Sequence, residues 1–152
     1  MDYRKIMSRF SNAQTQVNAS YEIIARKYDL TYNALMILYI IDEDKNITQK
    51  NISDILYLSK STVHSILSSL KKKNYVALAE GDNKKEKYIF LTQEGELFFS
   101  TIRKETGIFE KTVLDFIGEE NVLLFLEQSE RIANYMVTKA TEIIVGGAQV
   151  ED

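Results

Sequence analysis

The stretch Ile47-Thr48-Gln49-Lys50-Asn51-Ile52-Ser53-Asp54-Ile55-Leu56-Tyr57-Leu58-Ser59-Lys60-Ser61-Thr62-Val63-His64-Ser65-Ile66-Leu67 decides the fold. Thr48 is a good N-cap, and it opens a short predicted helix from Gln49 to Tyr57 with Ile52, Ile55 and Leu56 inward. Leu58-Ser59 leaves room only for a tight connection. Ser59 then caps a second helix whose inner face is Val63, Ile66, Leu67 and Leu70. Two short helices joined by such a turn form a helix-turn-helix, although this turn lacks the glycine often found there.

Downstream, Tyr75-Val76-Ala77-Leu78 and Lys87-Tyr88-Ile89-Phe90-Leu91 are rich in aromatic and β-branched residues and read as strands. Glu80-Gly81-Asp82-Asn83-Lys84-Lys85-Glu86 between them has the Gly, Asp and Asn of a hairpin tip. A helix-turn-helix followed by a hairpin is a winged helix. Upstream, Ile6, Phe10, Ala13, Val17, Tyr21 and Ile24 recur at three and four residues, one stripe of a helix about 25 residues long. Such a helix usually needs something outside its own domain to cover it. Thr31 caps the next helix, apolar nearly all round from Leu35 to Ile41 and therefore expected in the core.

Thr92 caps a further helix through Leu97, Phe98, Ile102, Phe109, Val113 and Phe116, which Gly118 ends. A last helix carries Val122, Phe125, Leu126, Ile132, Met136, Ala140 and Ile143. The expected fold is mostly α with a small β wing. Residues 1–28 are read as an N-terminal dimerisation helix and 29–91 as a winged helix-turn-helix DNA-binding domain. Residues 92–145 are read as C-terminal dimerisation helices and 146–152 as a flexible tail.

Composition supports a helical protein and excludes several functions. The chain has 152 residues, 45% of them hydrophobic, and no proline, the strongest helix breaker. With no cysteine it has no disulfide, thiolate metal site or thiol redox sensor. The polar start Met1-Asp2-Tyr3-Arg4-Lys5 does not read as a signal peptide. The longest apolar run, Ala34 to Ile41, is far shorter than the roughly 18 residues of a membrane span. A cytoplasmic protein without membrane contact is expected. No Gly-rich phosphate loop or nucleophile–histidine set suggests an enzyme, and Glu119-Glu120 reads as the acidic first turn of the last helix. With His64 the only histidine, neither a metal site nor a cofactor is expected.

The net charge of −3 is unevenly spread. Residues 1–59 are neutral, 60–91 carry seven lysines against three acids, and 92–152 carry five basic and twelve acidic residues. A basic middle is the footprint that phosphate contact needs. With Val63, Ile66, Leu67 and Leu70 inward, the second helix of the pair turns out Lys60, Ser61, His64, Ser65, Ser68 and Lys72, with Thr62 at the flank. Short hydroxyls and an imidazole are unusual on an exposed helix, and they suit close approach to base edges in a major groove. A solvated serine-rich face is the plainer alternative. On the wing, Asn83, Lys84, Lys85 and Lys87 are placed to meet backbone or an adjacent minor groove, or simply to solvate a hairpin. A winged helix used as a protein-interaction or assembly module is the competing function. It should expose apolar or mixed residues where this chain has lysines.

Leu30-Thr31, Ile47-Thr48-Gln49-Lys50, Ser59-Lys60-Ser61-Thr62-Val63, Leu70-Lys71-Lys72-Lys73-Asn74-Tyr75-Val76 and Leu91-Thr92-Gln93-Glu94-Gly95 follow one another in the order and spacing of the MarR family, which residues 30–100 resemble. The resemblance implies a homodimer with interleaved helical ends and two winged helices binding palindromic DNA. It also implies a repressor released by a small ligand, often aromatic. Tyr28, Tyr32 and Tyr39 lie near where the family's ligand cleft occurs, although tyrosines commonly just pack. The chain departs from the family at Ala34, where glutamine is frequent, and in the wing. There the usual Asp-x-Arg becomes Asn83 with Lys85, or Asp82 with Lys84 if the register shifts by one.

Overall fold

The computed structural model describes residues 1–80 and 87–146, with side chains through residue 143. The wing-tip residues Asn83, Lys84 and Lys85, and residues 147–152 of the expected tail, lie outside the described residues. Six helices and one hairpin follow in chain order: α1 (Tyr3–Lys27), α2 (Tyr32–Glu43), α3 (Gln49–Leu56), α4 (Lys60–Lys72), β1 (Val76–Glu80), β2 (Lys87–Leu91), α5 (Gln93–Ile117) and α6 (Glu119–Gly146). The hairpin is antiparallel, with Val76 opposite Leu91 and Glu80 opposite Lys87. Its inner strand is tied to the entrance of α3. Ile89 N donates to Ile47 O at 2.9 Å, and Thr48 bridges Tyr88.

Local chemistry sets most helix starts. Thr31, Thr48 and Ser59 each accept a first-turn backbone N–H, from Ala34, Asn51 and Thr62 respectively. At Thr48 the Asn51 side chain reaches back to the Thr48 amide, so two orphan donors are satisfied reciprocally. Three helix ends turn through left-handed residues that are not glycine: Asp29 (φ 56°), Tyr57 (φ 52°) and Asn74 (φ 58°). After each, an amide reaches back five residues: Leu30 N to Ala25 O, Leu58 N to Ser53 O, Tyr75 N to Leu70 O. This closure caps the final carbonyls and turns the chain sharply without the usual glycine. Tyr57 is the costliest choice, because a Cβ in this region is strained and aromatic residues have no local hydrogen bond to offset it.

Two compact units divide the chain, residues 1–106 and 107–152. In the first, Leu35, Ile37, Leu38 and Ile41 of α2 are buried, as their all-round apolar pattern predicts. Ile52, Val63, Leu70, Val76, Ile89, Phe99 and Ile102 close around them. Two details of the sequence reading are corrected. Ile55 is 53% exposed, because α3 is rolled so that Ser53, not Ile55, joins Ile52 inside, where its hydroxyl donates to Leu58 O at 2.6 Å. On α5, Leu97 is 68% exposed, and the buried stripe is Gly95, Phe99, Ile102 and Thr106. Gly95 sets that phase. A Cβ there would lie 1.9 Å from the Tyr75 carbonyl oxygen, so only glycine lets α5 start this close to the turn after α4. Phe98 stays half-buried, stacked on Tyr75 with centroids 4.1 Å apart.

The first compact unit therefore runs past Leu91 into the first half of α5, to Thr106. In the second unit Gly118 (φ 84°) separates α5 from α6, and Glu119 and Glu120 occupy the first turn of α6. Gly146 is the last residue of α6 rather than the first of the tail.

Candidate nucleic-acid interface

The helix that carries the outward hydroxyls is fixed at both ends. At its start Ser59 Oγ accepts from Thr62 N at 3.1 Å and shares hydrogen bonds with the Ser61 and Thr62 hydroxyls at 2.9 and 2.8 Å. Gln49 Nε2 donates to Lys60 O at 3.1 Å, tying α3 to the first turn of α4. No acid stands in that first turn, and Lys71 and Lys72 stand in the last. The uncapped amides at the start of α4 thus keep their partial positive charge for an incoming anion.

All of Lys60, Ser61, Thr62, His64, Ser65 and Lys72 are exposed, and Ser68 is half-buried. They form two adjacent rows. Lys60, His64, Ser68 and Lys71 run along the flank toward β1, where His64, Ser68 and Lys71 edge a cavity of about 140 Å³ floored by Leu67, Val76, Leu78 and Ile89. Ser65 and Ser69 face the other flank, a cavity of about 190 Å³ shared with Leu30, Thr31 and Ala34. The helix bears no acidic side chain. Among the described residues Lys60, Lys71 and Lys72 make no ion pair, whereas Lys73 is held by Asp29 Oδ2 at 2.8 Å. That ammonium holds the Asp29 carboxyl below its ordinary range. Lys87 is exposed at the start of β2, opposite Glu80.

Tyr28, Tyr32 and Tyr39 have separate surroundings. Tyr39 bonds through its hydroxyl to Thr106 and meets Phe99 edge-on at 5.1 Å. The Tyr28 ring meets Phe98 edge-on at 6.1 Å. Its hydroxyl is buried without a hydrogen bond of good geometry, and burial, with Glu105 close by, raises its pKa. Glu105 is lowered in turn, chiefly by Lys27, whose Nζ lies 2.6 Å away. Tyr32 offers its backbone N–H to Glu22, so its contact there is not a phenolic one. None of the three lines either cavity beside α4. Among the described residues no cluster of three His, Asp or Glu side chains could hold a metal, and no helix is long and apolar enough to cross a membrane.

Sequence reasoning missed the clamps around α4: Gln49 on Lys60 O, Ser53 on Leu58 O, and Lys73 on Asp29. A signal was present for a different close approach, at the start of α5. Gly95 in the first turn of a helix is a poor helix former, which a close backbone approach explains.

Helix pair, hairpin and exposed basic face together define a winged helix-turn-helix protein. The MarR family model matches residues 28–85, from the end of α1 into the wing. The HTH-type transcriptional regulator SarZ of Staphylococcus aureus is 26% identical over 117 residues, covering 72% of this chain and 79% of SarZ. Among solved structures, Streptococcus pneumoniae FabT in complex with DNA aligns with a TM-score of 0.72 at 17% identity, over 90% of this chain and 99% of that one. Staphylococcus aureus MarR in complex with salicylate and kanamycin aligns with a TM-score of 0.73 at 16% identity, over 90% and 93%. At such identities the two structures speak for the fold. Over residues 28–85, from the end of α1 into the wing, the chain is similar to the MarR family.

Proposed function

We propose that this chain is a sequence-specific regulator of transcription that binds duplex DNA as a homodimer. The observation that carries this reading is the outer face of α4, an exposed surface of hydroxyls, one imidazole and lysines that make no ion pair among the described residues, with no acid on the helix. Short side chains let a helix enter the major groove, where hydroxyls and imidazole meet base edges while lysines meet phosphate. Lys87 and the wing beyond it supply charge to backbone or minor groove, so they add affinity and little discrimination. An assembly module would present apolar side chains on this face.

The dimer is assigned to α1, the second half of α5 and α6, whose apolar side chains lie exposed in the single chain. Two recognition helices related by a two-fold axis call for a palindromic site with half-sites about one helical turn apart. Binding rather than catalysis is the proposed role, in the cytoplasm, with repression relieved by a small aromatic ligand. That last element is supported by the salicylate of the Staphylococcus aureus MarR complex. The test is selection of duplexes from a genomic fragment library by the purified protein. Recovery of a common palindrome is the expected result, and recovery of fragments without a shared sequence would defeat the proposal.

A further inference from the structure

We infer that Asn74, Thr92 and Gly95 form a positioning junction that sets the pitch of the recognition helix, so that specificity depends on three residues remote from its DNA-facing start. The inference rests on the DNA-binding reading above and adds residues that touch no base.

Its geometry is built from the end of α4 outward. Asn74, in the left-handed region, turns the chain, and the amides of Asn74 and Tyr75 reach back to Lys71 O at 2.9 Å and Leu70 O at 3.0 Å. The two carbonyls that follow are both taken by the start of α5. Thr92 Oγ1 donates to Asn74 O, and Thr92 N donates to Tyr75 O at 3.1 Å. The same hydroxyl accepts from Gly95 N at 3.0 Å, so both its hydrogen-bonding roles are used. Asn74 Nδ2 donates to Glu94 Oε2 at 3.0 Å. Gly95 then seats its bare Cα against the Tyr75 carbonyl, closer than any side chain would allow.

All of these contacts but the Asn74–Glu94 pair fall on backbone, so α4 and α5 cannot slide past each other without breaking several at once. Packing alone would tolerate such sliding, because apolar contacts are non-directional. The recognition helix is 13 residues, about 20 Å long at 1.5 Å per residue. A tilt of about 10° at its junction with α5, with α3 carried along through Gln49, displaces the other end by about 3 Å, as far as a hydrogen bond is long. Ser61, His64 and Ser65 stand toward that far end. Base-edge contacts therefore feel a loosened junction, whereas contacts to phosphate through long, mobile lysines hardly do.

The experiment compares Thr92→Val, Thr92→Ser and Gly95→Ala with the wild-type protein, below the melting temperature of every variant. The probes are the duplex that wild type selects from a genomic library and a scrambled duplex of equal length. Thr92→Val and Gly95→Ala should lower the ratio of selected to scrambled affinity by tenfold or more, with the salt slope unchanged. Thr92→Ser, which keeps the hydroxyl, should stay within about twofold of wild type. If Gly95→Ala does not fold, the Thr92 pair decides. A Thr92→Val protein that melts earlier but keeps its ratio would show that the junction only holds the fold, overturning the inference while leaving the DNA-binding reading intact. A wild-type protein that selects no duplex would overturn that reading and this inference with it.

Discussion

On α4 the exposed side chains include Lys60, Ser61, His64, Ser65 and Lys72; on α6 the exposed apolar ones include Leu123, Leu124, Phe125, Leu126, Tyr135, Met136 and Val137. α4 buries Val63, Leu67 and Leu70 and exposes its polar side, whereas α6 has no buried residue and leaves apolar side chains open along its length. The polar face of α4 costs nothing in water, so it can wait for a partner that comes and goes. The apolar face of α6 cannot. Exposed apolar side chains in such number mark an interface, and at about 25 cal/mol per Å² their burial gives a strong drive to association. The difference separates a surface used intermittently from one needed for the protein to persist.

The sharpest way to break that contrast is to charge the apolar face. Phe125→Asp places a carboxylate among exposed apolar side chains. It should abolish the dimer or prevent folding, read by sedimentation at micromolar concentration. A wild-type protein that sediments as a well-folded monomer would remove the contrast altogether. The polar face should respond differently. Ser65→Ala or His64→Ala should leave assembly untouched and cost roughly 1–3 kcal/mol on the selected duplex where a base contact is lost. Lys87→Ala should weaken selected and scrambled duplexes alike and lower the salt slope by about one if it removes one phosphate contact. Titrations at several salt concentrations distinguish the two.

Smaller effects sharpen the account of how α4 is held. Tyr57→Gly relieves a strained left-handed residue, worth about 1–2 kcal/mol, against an entropic cost of about 0.5–1 kcal/mol for glycine. Denaturant midpoints should therefore rise slightly. The smallest effect is expected at Asp29. Lys73 depresses its pKa, so the folded state binds its proton less readily than the unfolded chain does. Such a group stabilises above its unfolded pKa of about 3.9, and the contribution is lost as pH falls through the lower folded value. The stability difference between wild type and Asp29→Asn should thus be present at neutral pH and shrink below about pH 4. An Asp29→Asn difference that persists unchanged at pH 3 would mean that the ion pair is not its source.

The helix-turn-helix was legible because its signals are local. Thr31, Thr48 and Ser59 act on amides three residues away, and no tertiary contact is needed to make them caps. Helix phase was less legible. Leu97 and Phe99 are equally apolar in the sequence, and what buries Phe99 is the seat of Gly95 on a carbonyl 20 residues earlier. Likewise Ile55 lost its expected place to Ser53 because a carbonyl in the turn needed a donor. The outward side chains of α4 could be named because they are what remains when the apolar face is subtracted. The clamps could not, because side chain to backbone bonds such as Gln49 to Lys60 O leave no periodicity to read.

The bond from Ile89 N to Ile47 O has a consequence for hydrogen exchange. Ile89 is almost wholly buried, and its amide is held by the segment that enters α3 rather than by its own hairpin partner. Separating β2 from β1 leaves that bond in place, so the amide exchanges only through larger openings of the unit. In deuterated buffer the Ile89 amide should therefore be among the slowest of the wing and report the stability of the first unit. The amide of Lys87, three residues from Phe90 on the same strand, should exchange on the far shorter timescale of local opening.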